Sequence, residues 1–537
     1  MNPMSFDFQS RRSMVVGRRG MVAASNPLAA QAGLAILRAG GNAADAAIAT
    51  AAVLNVTEPA STGIGGDCFA LFYDANTRVV TALNGSGRSP AALSADLLRS
   101  RGMSEIPIRS PHAISVPGAA AGWEDLLERH GSMSLVDVLR DAIQYAEDGY
   151  PVHPIFGAGW KRAQAFLQTS PHTEDYLPDG VAPEVGQIVK LPGLARTLRA
   201  VAEGGAAAFY TGEIADAIVR TIQQQGGVMT HDDLKQHRST WDTPIATDYR
   251  GVRVYECPPN GQGIAALQAM NIANEFDLAG MAWDAPERMH LMVEAMRLAF
   301  ADARQYVADM ATNPAPLDWL LSDAYAAERR ALINPVTAMQ PPEYGRPIRS
   351  SDTVYLSVVD GYGNACSFIN SLYTGFGTGI VAQGTGVFLQ SRGALFSLEA
   401  GHPNELAPNK RPYHTIIPAM ATRDGDLWAS FGVMGGFMQP QGHFQVISAM
   451  LDDELNPQEA LNRPRWCLED GTGGSVLALE EGIPVKTMAR LAEMGHRVRP
   501  VSGGGRGLFG DGQIIRVENG VLFGGSDPRK DGLTAAY

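Results

Sequence analysis

The chain has 537 residues, 45% of them hydrophobic and 18% charged, with a formal net charge of -13. That length allows a large core or more than one domain. The acidic balance, with no Lys/Arg run and no aromatic stacking pattern, excludes a nucleic-acid partner gripped through phosphates.

At the start, "MNPMSFDFQSRRSMVVGRRGMV" lacks the apolar core of a secretory signal, so a cytoplasmic protein is expected. Asn26-Pro27 reads as an N-cap with proline at the first helical position, and Gly40-Gly41 stops a helix over Leu28 to Ala39. Asn42 caps a second, alanine-rich helix. It carries Asp45 and Thr50 and is too short and polar to span a bilayer, so no membrane partner is expected. "GIGGDCFALFYDA" then turns into a strand from Cys68 to Tyr73. In "RMHLMVEAMRLAFADARQYV", Met292, Ala295, Met296, Ala299, Phe300 and Ala303 recur at helical spacing and mark a core face. Residues 334 to 352 lose this period and gather prolines, as a flexible linker would. Beyond it the period becomes two: Val354, Leu356 and Val358 alternate with Thr353, Tyr355 and Ser357, "DGYGN" turns, and "ACSFI" returns as a hairpin. "LWASFGVMGG" is a strand ending in a glycine turn, followed by a helix in "QPQGHFQVISAMLDD". Strands and helices in blocks predict a layered α+β fold.

Cys68, Cys257, Cys366 and Cys467 are scattered without metal-binding spacing and read as buried thiols. His231 and His237, six apart, fall on different helix faces, so no metal is expected. The glycine-rich stretch 503–512 lacks the Lys-Ser/Thr ending of a phosphate loop and reads as a mobile loop bordering a pocket; Gly261 and Gly263 lack the third glycine of a dinucleotide fingerprint. No cofactor is expected.

Thr353 heads its strand, where a β-branched residue is ordinarily structural. Were the Asp352-Thr353 bond cut, this threonine would carry a hydroxyl nucleophile and an α-amine of pKa about 7.7 to 8.0 as its own base. Gly435-Gly436, at a strand-to-helix turn, could offer two N–H groups to an oxyanion.

These motifs resemble one family. "DTVYLSVVDGYGNACSFINSLYTGFGTGIV", "APNKRPYHTIIPAM", "GVMGG" and "GGSDPRKDGLTAAY", with "NPLAAQAGLAILRAGGNAADAAIATAAVLNVTEPASTGIGGDCFALFYD" upstream, look like the γ-glutamyltransferase family of N-terminal nucleophile hydrolases, in the same order from Gly20 to Tyr537. The resemblance implies a four-layer αββα sandwich made as a precursor that cleaves itself between Asp352 and Thr353. Residues 1–352, with 334–352 as linker, would form the large fragment, and residues 353–537, 537 − 352 = 185 in number, the small one. The fragments stay associated, and the resemblance leaves open a dimer of such heterodimers. It makes Thr353 the nucleophile, supported by Ser371 where a second threonine is usual, and Gly435 and Gly436 the oxyanion hole.

The substrate anchors depart from the family. Tyr373 stands where asparagine or glutamate is usual, and Arg392 and Leu395 where glutamine and aspartate are. Ser86 replaces an arginine, with Arg88 two residues on, and His414-Thr415 replace a serine pair. Arg88 or Arg392 can hold a carboxylate, and His414 would shape the pocket, but an acceptor for an α-ammonium is missing. The expected activity is hydrolysis of a small carboxylate-bearing amide, oxamate-like, as in outlying members such as oxamate amidohydrolase and cephalosporin acylases. The alternatives are a glutathione hydrolase or γ-glutamyl transferase with substituted anchors, and a non-processing binding or scaffold protein.

Overall fold

The computed structural model describes residues 12–339, 353–472 and 474–537. Asn26 accepts the Leu28 N–H at 2.9 Å and starts the helix Pro27–Arg38. Asn42 and Asp45 close a reciprocal capping box at the head of the helix Ala43–Thr57, every residue of which is buried. Alanine and glycine let these helices touch: a Cβ on Gly33 would lie 2.2 Å from Thr50 Oγ1.

The two helices cover one face of a seven-stranded sheet. Its order is Leu533–Ala536, Met21–Ala24, Val354–Val359, Ala365–Ser371, Asp67–Asp74, Val79–Gly85 and Thr240–Asp242, so the strand after Thr353 lies inside the sheet. The expected hairpin forms in antiparallel register, Val354 opposite Asn370 through Val359 opposite Ala365. The second seven-stranded sheet runs Val15–Gly17, Val521–Ser526, Asp511–Glu518, Asp426–Met434, Ala419–Arg423, Val252–Glu256 and Ile245–Tyr249. The helices Gly263–Ala273 and Met438–Leu451 cover its outer face, and Pro286–Tyr306 packs on the first of them.

Strand periodicity divides the core as the pleat requires. Val354, Leu356 and Val358 face the alanine-rich helices. Tyr355, Val359, Phe69 and Leu71 meet Met420, Met434 and Ile515 between the sheets. The layers are therefore helix, sheet, sheet, helix, the αββα sandwich expected from the motifs.

The helix Pro286–Tyr306 is buried on more than its apolar face. Arg288 pairs with Asp453 at 2.7 Å, Arg297 with Glu294 at 3.1 Å, and Asp302 with Arg329. Polar positions that a stripe assigns to solvent are thus enclosed as ion pairs, because other segments close over them. One such segment is the stem of the predicted linker: the Met339 N–H donates to Glu294 Oε2 and the Ala338 N–H to the Met494 carbonyl, both at 2.7 Å. Residues 340–352, including Asp352, lie outside the described residues. All four cysteines are free and buried. Among the described residues no helix is long and apolar enough to cross a membrane.

Candidate active site

Thr353 is fully buried at the head of the strand Val354–Val359. Its Oγ1 lies 3.1 Å from Ser371 Oγ, at the end of the neighbouring strand. Ser371 Oγ also accepts the Tyr373 N–H at 2.9 Å and Arg392 Nη2 at 3.1 Å. With two N–H donors on its oxygen, the serine hydroxyl is set to give its proton to a neighbour, and Thr353 Oγ1 is one.

Tyr373 holds a φ of 79°, uncommon for a bulky residue and costing of order 1 kcal/mol, in the turn that aims its N–H at Ser371. The Arg392 guanidinium lies 4.6 Å from its ring centroid. Arg392 opens the short 3-10 helix Arg392–Leu395 and is fully buried. Its Nη1 donates to Thr415 Oγ1 at 2.7 Å, while Nε has no partner. Burial pushes this guanidinium down to about 10, so it stays charged at neutral pH; among the described residues no carboxylate is in ion-pair contact with it.

The nearby anion is Asp67, which the sequence analysis passes over. Its carboxylate accepts the Gly87 N–H at 3.0 Å, Gln390 Nε2 at 2.9 Å and His414 Nε2 at 3.0 Å. These donors, with Arg392 nearby, overcome the burial penalty and hold Asp67 below the ordinary carboxylate range. His414 Nδ1 takes the Ile416 N–H at 3.3 Å, placing the ring proton on Nε2. Burial first, then Arg392, depresses His414 to about 3, so it is neutral. The signal for Asp67 was its place after Gly65-Gly66 at the start of a strand. Gln262 was also missed: its Nε2 donates to the Thr415 carbonyl at 2.8 Å and the Gly436 carbonyl at 2.9 Å, tying the two halves of the site together.

Gly435 and Gly436, with φ of 130° and 62°, join the strand Asp426–Met434 to the helix Met438–Leu451. Their carbonyls accept the Met438 and Gln439 N–H groups at 3.0 and 3.2 Å, pinning the turn from its carbonyl side. Both glycines line a cleft of about 620 Å³ together with Tyr373, Arg109, Arg162, Lys530 and the 3-10 segment Gly503–Phe509. The glycine-rich stretch therefore borders the pocket.

Arg88 is elsewhere. The Gly87 N–H is held by Asp67 and the Arg88 carbonyl by the Val116 N–H at 2.9 Å. Arg88 then lines a separate cavity of about 340 Å³ with Asp233, His237 and Arg238. Ser86 is buried and accepts Asn260 Nδ2 at 3.0 Å. The structure thus groups Thr353, Ser371, Tyr373, Arg392, Thr415, Gly435 and Gly436, puts His414 behind them against Asp67, and leaves Arg88 apart. His290, Glu294 and His496 bring ligand-type atoms within 4.8 Å of one another. The Glu294 carboxylate is engaged by Arg297 and the Met339 N–H, and His290 Nε2 meets the Asn334 carbonyl at 2.7 Å, so the trio packs against the linker stem.

A family model described as gamma-glutamyltranspeptidase matches residues 29–537. The "Glutathione hydrolase-like YwrD proenzyme" of Bacillus subtilis is 40% identical over 96% of this chain and 98% of its own length. The "Oxamate amidohydrolase proenzyme" of Klebsiella pneumoniae is 34% identical over 97% and 99%. The crystal structure of a cephalosporin acylase from Bacillus halodurans superposes with a TM-score of 0.94 at 44% identity, covering 100% of this chain and 99% of that one. Sequence and fold agree over the whole length, and the chain belongs to the gamma-glutamyltranspeptidase family of N-terminal nucleophile hydrolases, enzymes that act on amide bonds.

Proposed function

We propose that the chain is a precursor that cuts itself between Asp352 and Thr353, and that the freed threonine hydrolyses a carboxylate-bearing amide. In processing, Thr353 Oγ1 attacks the Asp352 carbonyl carbon, the peptide nitrogen leaves as the α-amine, and water hydrolyses the resulting ester. In turnover the α-amine takes the Oγ1 proton as the oxygen attacks the substrate carbonyl. The oxyanion is received by the Gly435 and Gly436 N–H groups. The α-ammonium protonates the leaving amine, and water releases the acid from the threonine ester. Ser371 holds Oγ1 throughout.

The observation that carries the substrate class is Arg392. It is a buried cation without an ion-paired carboxylate, bonded to the serine that touches the nucleophile. A substrate carboxylate would complete it. Asp67, the carboxylate nearby, is engaged by Gly87, Gln390 and His414, and Leu395 is apolar, so an α-ammonium finds no acceptor beside Arg392. Acyl groups such as oxamyl or glutaryl fit this description better than γ-glutamyl. Relatives named for oxamate and cephalosporin support the reading.

Two measurements test it. On a denaturing gel the wild type should give two fragments and Thr353→Ala one; an intact wild-type chain would refute processing. Purified enzyme should release ammonia from oxamate, or glutarate from its amides, faster than glutamate from glutathione. The reverse order would favour the glutathione hydrolase reading.

A further inference from the structure

Asp511 begins the strand Asp511–Glu518 on the wall of the same cleft. It pairs with Met434, the residue before the glycine turn, and a Cβ on Gly435 would lie 3.1 Å from Gly510 Cα. Its side chain therefore stands one strand away from the oxyanion glycines. The residue is 6% exposed, Oδ1 is buried without a hydrogen-bond partner, and no donor among the described residues reaches its carboxyl group.

The cations around it are already matched. Arg465 pairs with Asp527 at 2.7 Å, Arg529 with Asp527 at 2.9 Å and Glu480 at 2.6 Å, and Lys530 with Glu58 at 3.3 Å. Burial pushes Asp511 up to about 7, with Asp527 adding to the rise and Lys530, Arg529 and Arg465 opposing it. A nearly enclosed carboxyl group without a donor is costly to keep unless something supplies one.

The direction of the reaction says what that is. The acyl half belongs against Arg392, in the closed region behind Ser371. The cleft that Asp511 lines also borders Tyr373, Gly435 and Gly436, and offers the leaving amine and water a route past the site. We propose that Asp511 is a specificity-determining carboxylate on the leaving-group side, selecting amides whose amine half carries a second, cationic nitrogen. This rests on the amide-hydrolase reading above and adds the chemistry of the departing half.

The test uses the processed enzyme and two glutaryl amides of matched length, one of butylamine and one of 1,4-diaminobutane, with glutarate release followed by mass spectrometry. In the wild type the diamine amide should have the higher kcat/KM by about tenfold near pH 8, mainly through KM, as one charge-assisted hydrogen bond would give. The ratio should fall toward one near pH 6 as Asp511 takes up its proton. In Asp511→Asn the ratio should stay within about twofold of one at both pH values. Self-cleavage on a gel reports that the variant has folded, and the wild-type ratio at two pH values is decisive without it. Equal wild-type rates near pH 8, or an unchanged ratio in the variant, would overturn the role of Asp511 alone. Release of glutarate from neither amide would overturn the glutaryl acyl-donor reading, and this inference with it.

Discussion

Arg392 shows why a substitution read from sequence needs its surroundings. A guanidinium in place of glutamine could have been a surface group, yet here it is sealed in and divided between Thr415 and Ser371. A lysine would be a single point charge and could not hold both oxygens in the same geometry. Arg392→Lys should therefore lower kcat/KM for a carboxylate-bearing amide by about tenfold to a hundredfold, with KM rising. An equal loss on an amide without a carboxylate would mean that the residue only props up Ser371. His414 carries the opposite lesson: placed by the motif in the pocket, it is a buried neutral donor to Asp67.

Among the elements, the turn after the strand Asp426–Met434 is the proposed oxyanion hole. Positive φ at both Gly435 and Gly436 is a conformation that L side chains rarely adopt, and Gln262 fastens the Gly436 carbonyl to the Thr415 segment. Gly436→Ala should tilt the amide away from the oxyanion. The expected result is a loss in kcat of about a hundredfold, the scale of one lost oxyanion donor. Steady-state kinetics with a thermal melt would check this; unchanged kcat in a folded variant would remove Gly436 from the oxyanion hole.

At the scale of the molecule, burial of neutral histidines weakens the fold in acid, with Asp511, raised to about 7, opposing them over the same range. His237 and His414 are each depressed to about 3, burial being the main cause, whereas the unfolded chain titrates them near 6.5. The folded pKa lies below the unfolded one, so this stability is complete above about pH 6.5 and is lost progressively as pH falls toward the folded value. The slope is about 1.4 kcal/mol per pH unit for each histidine. Asp67, held below its usual range, adds a loss of the same sign at more acidic pH. Urea midpoints should therefore drop between about pH 7.5 and 5.5. His237→Gln should flatten the drop, and a level wild-type profile would show that these rings are not buried neutral.

The sequence by itself determined the elements and singled out Thr353 as the candidate nucleophile. Caps at Asn26 and Asn42, the period-two run after Thr353 and the glycine pair at 435–436 are local signals, written within a few residues and governed by backbone geometry that any fold must respect. It also named Ser371, Arg392 and Thr415, because ordered motifs carry their positions. What joins them was not legible. Asp67 meets Gln390 and His414 across more than three hundred residues, and Gln262 reaches both Thr415 and Gly436. Arg88, two residues from Ser86, lines another cavity. Asp511 reads as an ordinary polar residue until two strands place it beside the glycines. Only the tertiary structure decided these matters, because the charge, solvation and partners of a buried group are set by whatever the folded chain packs around it.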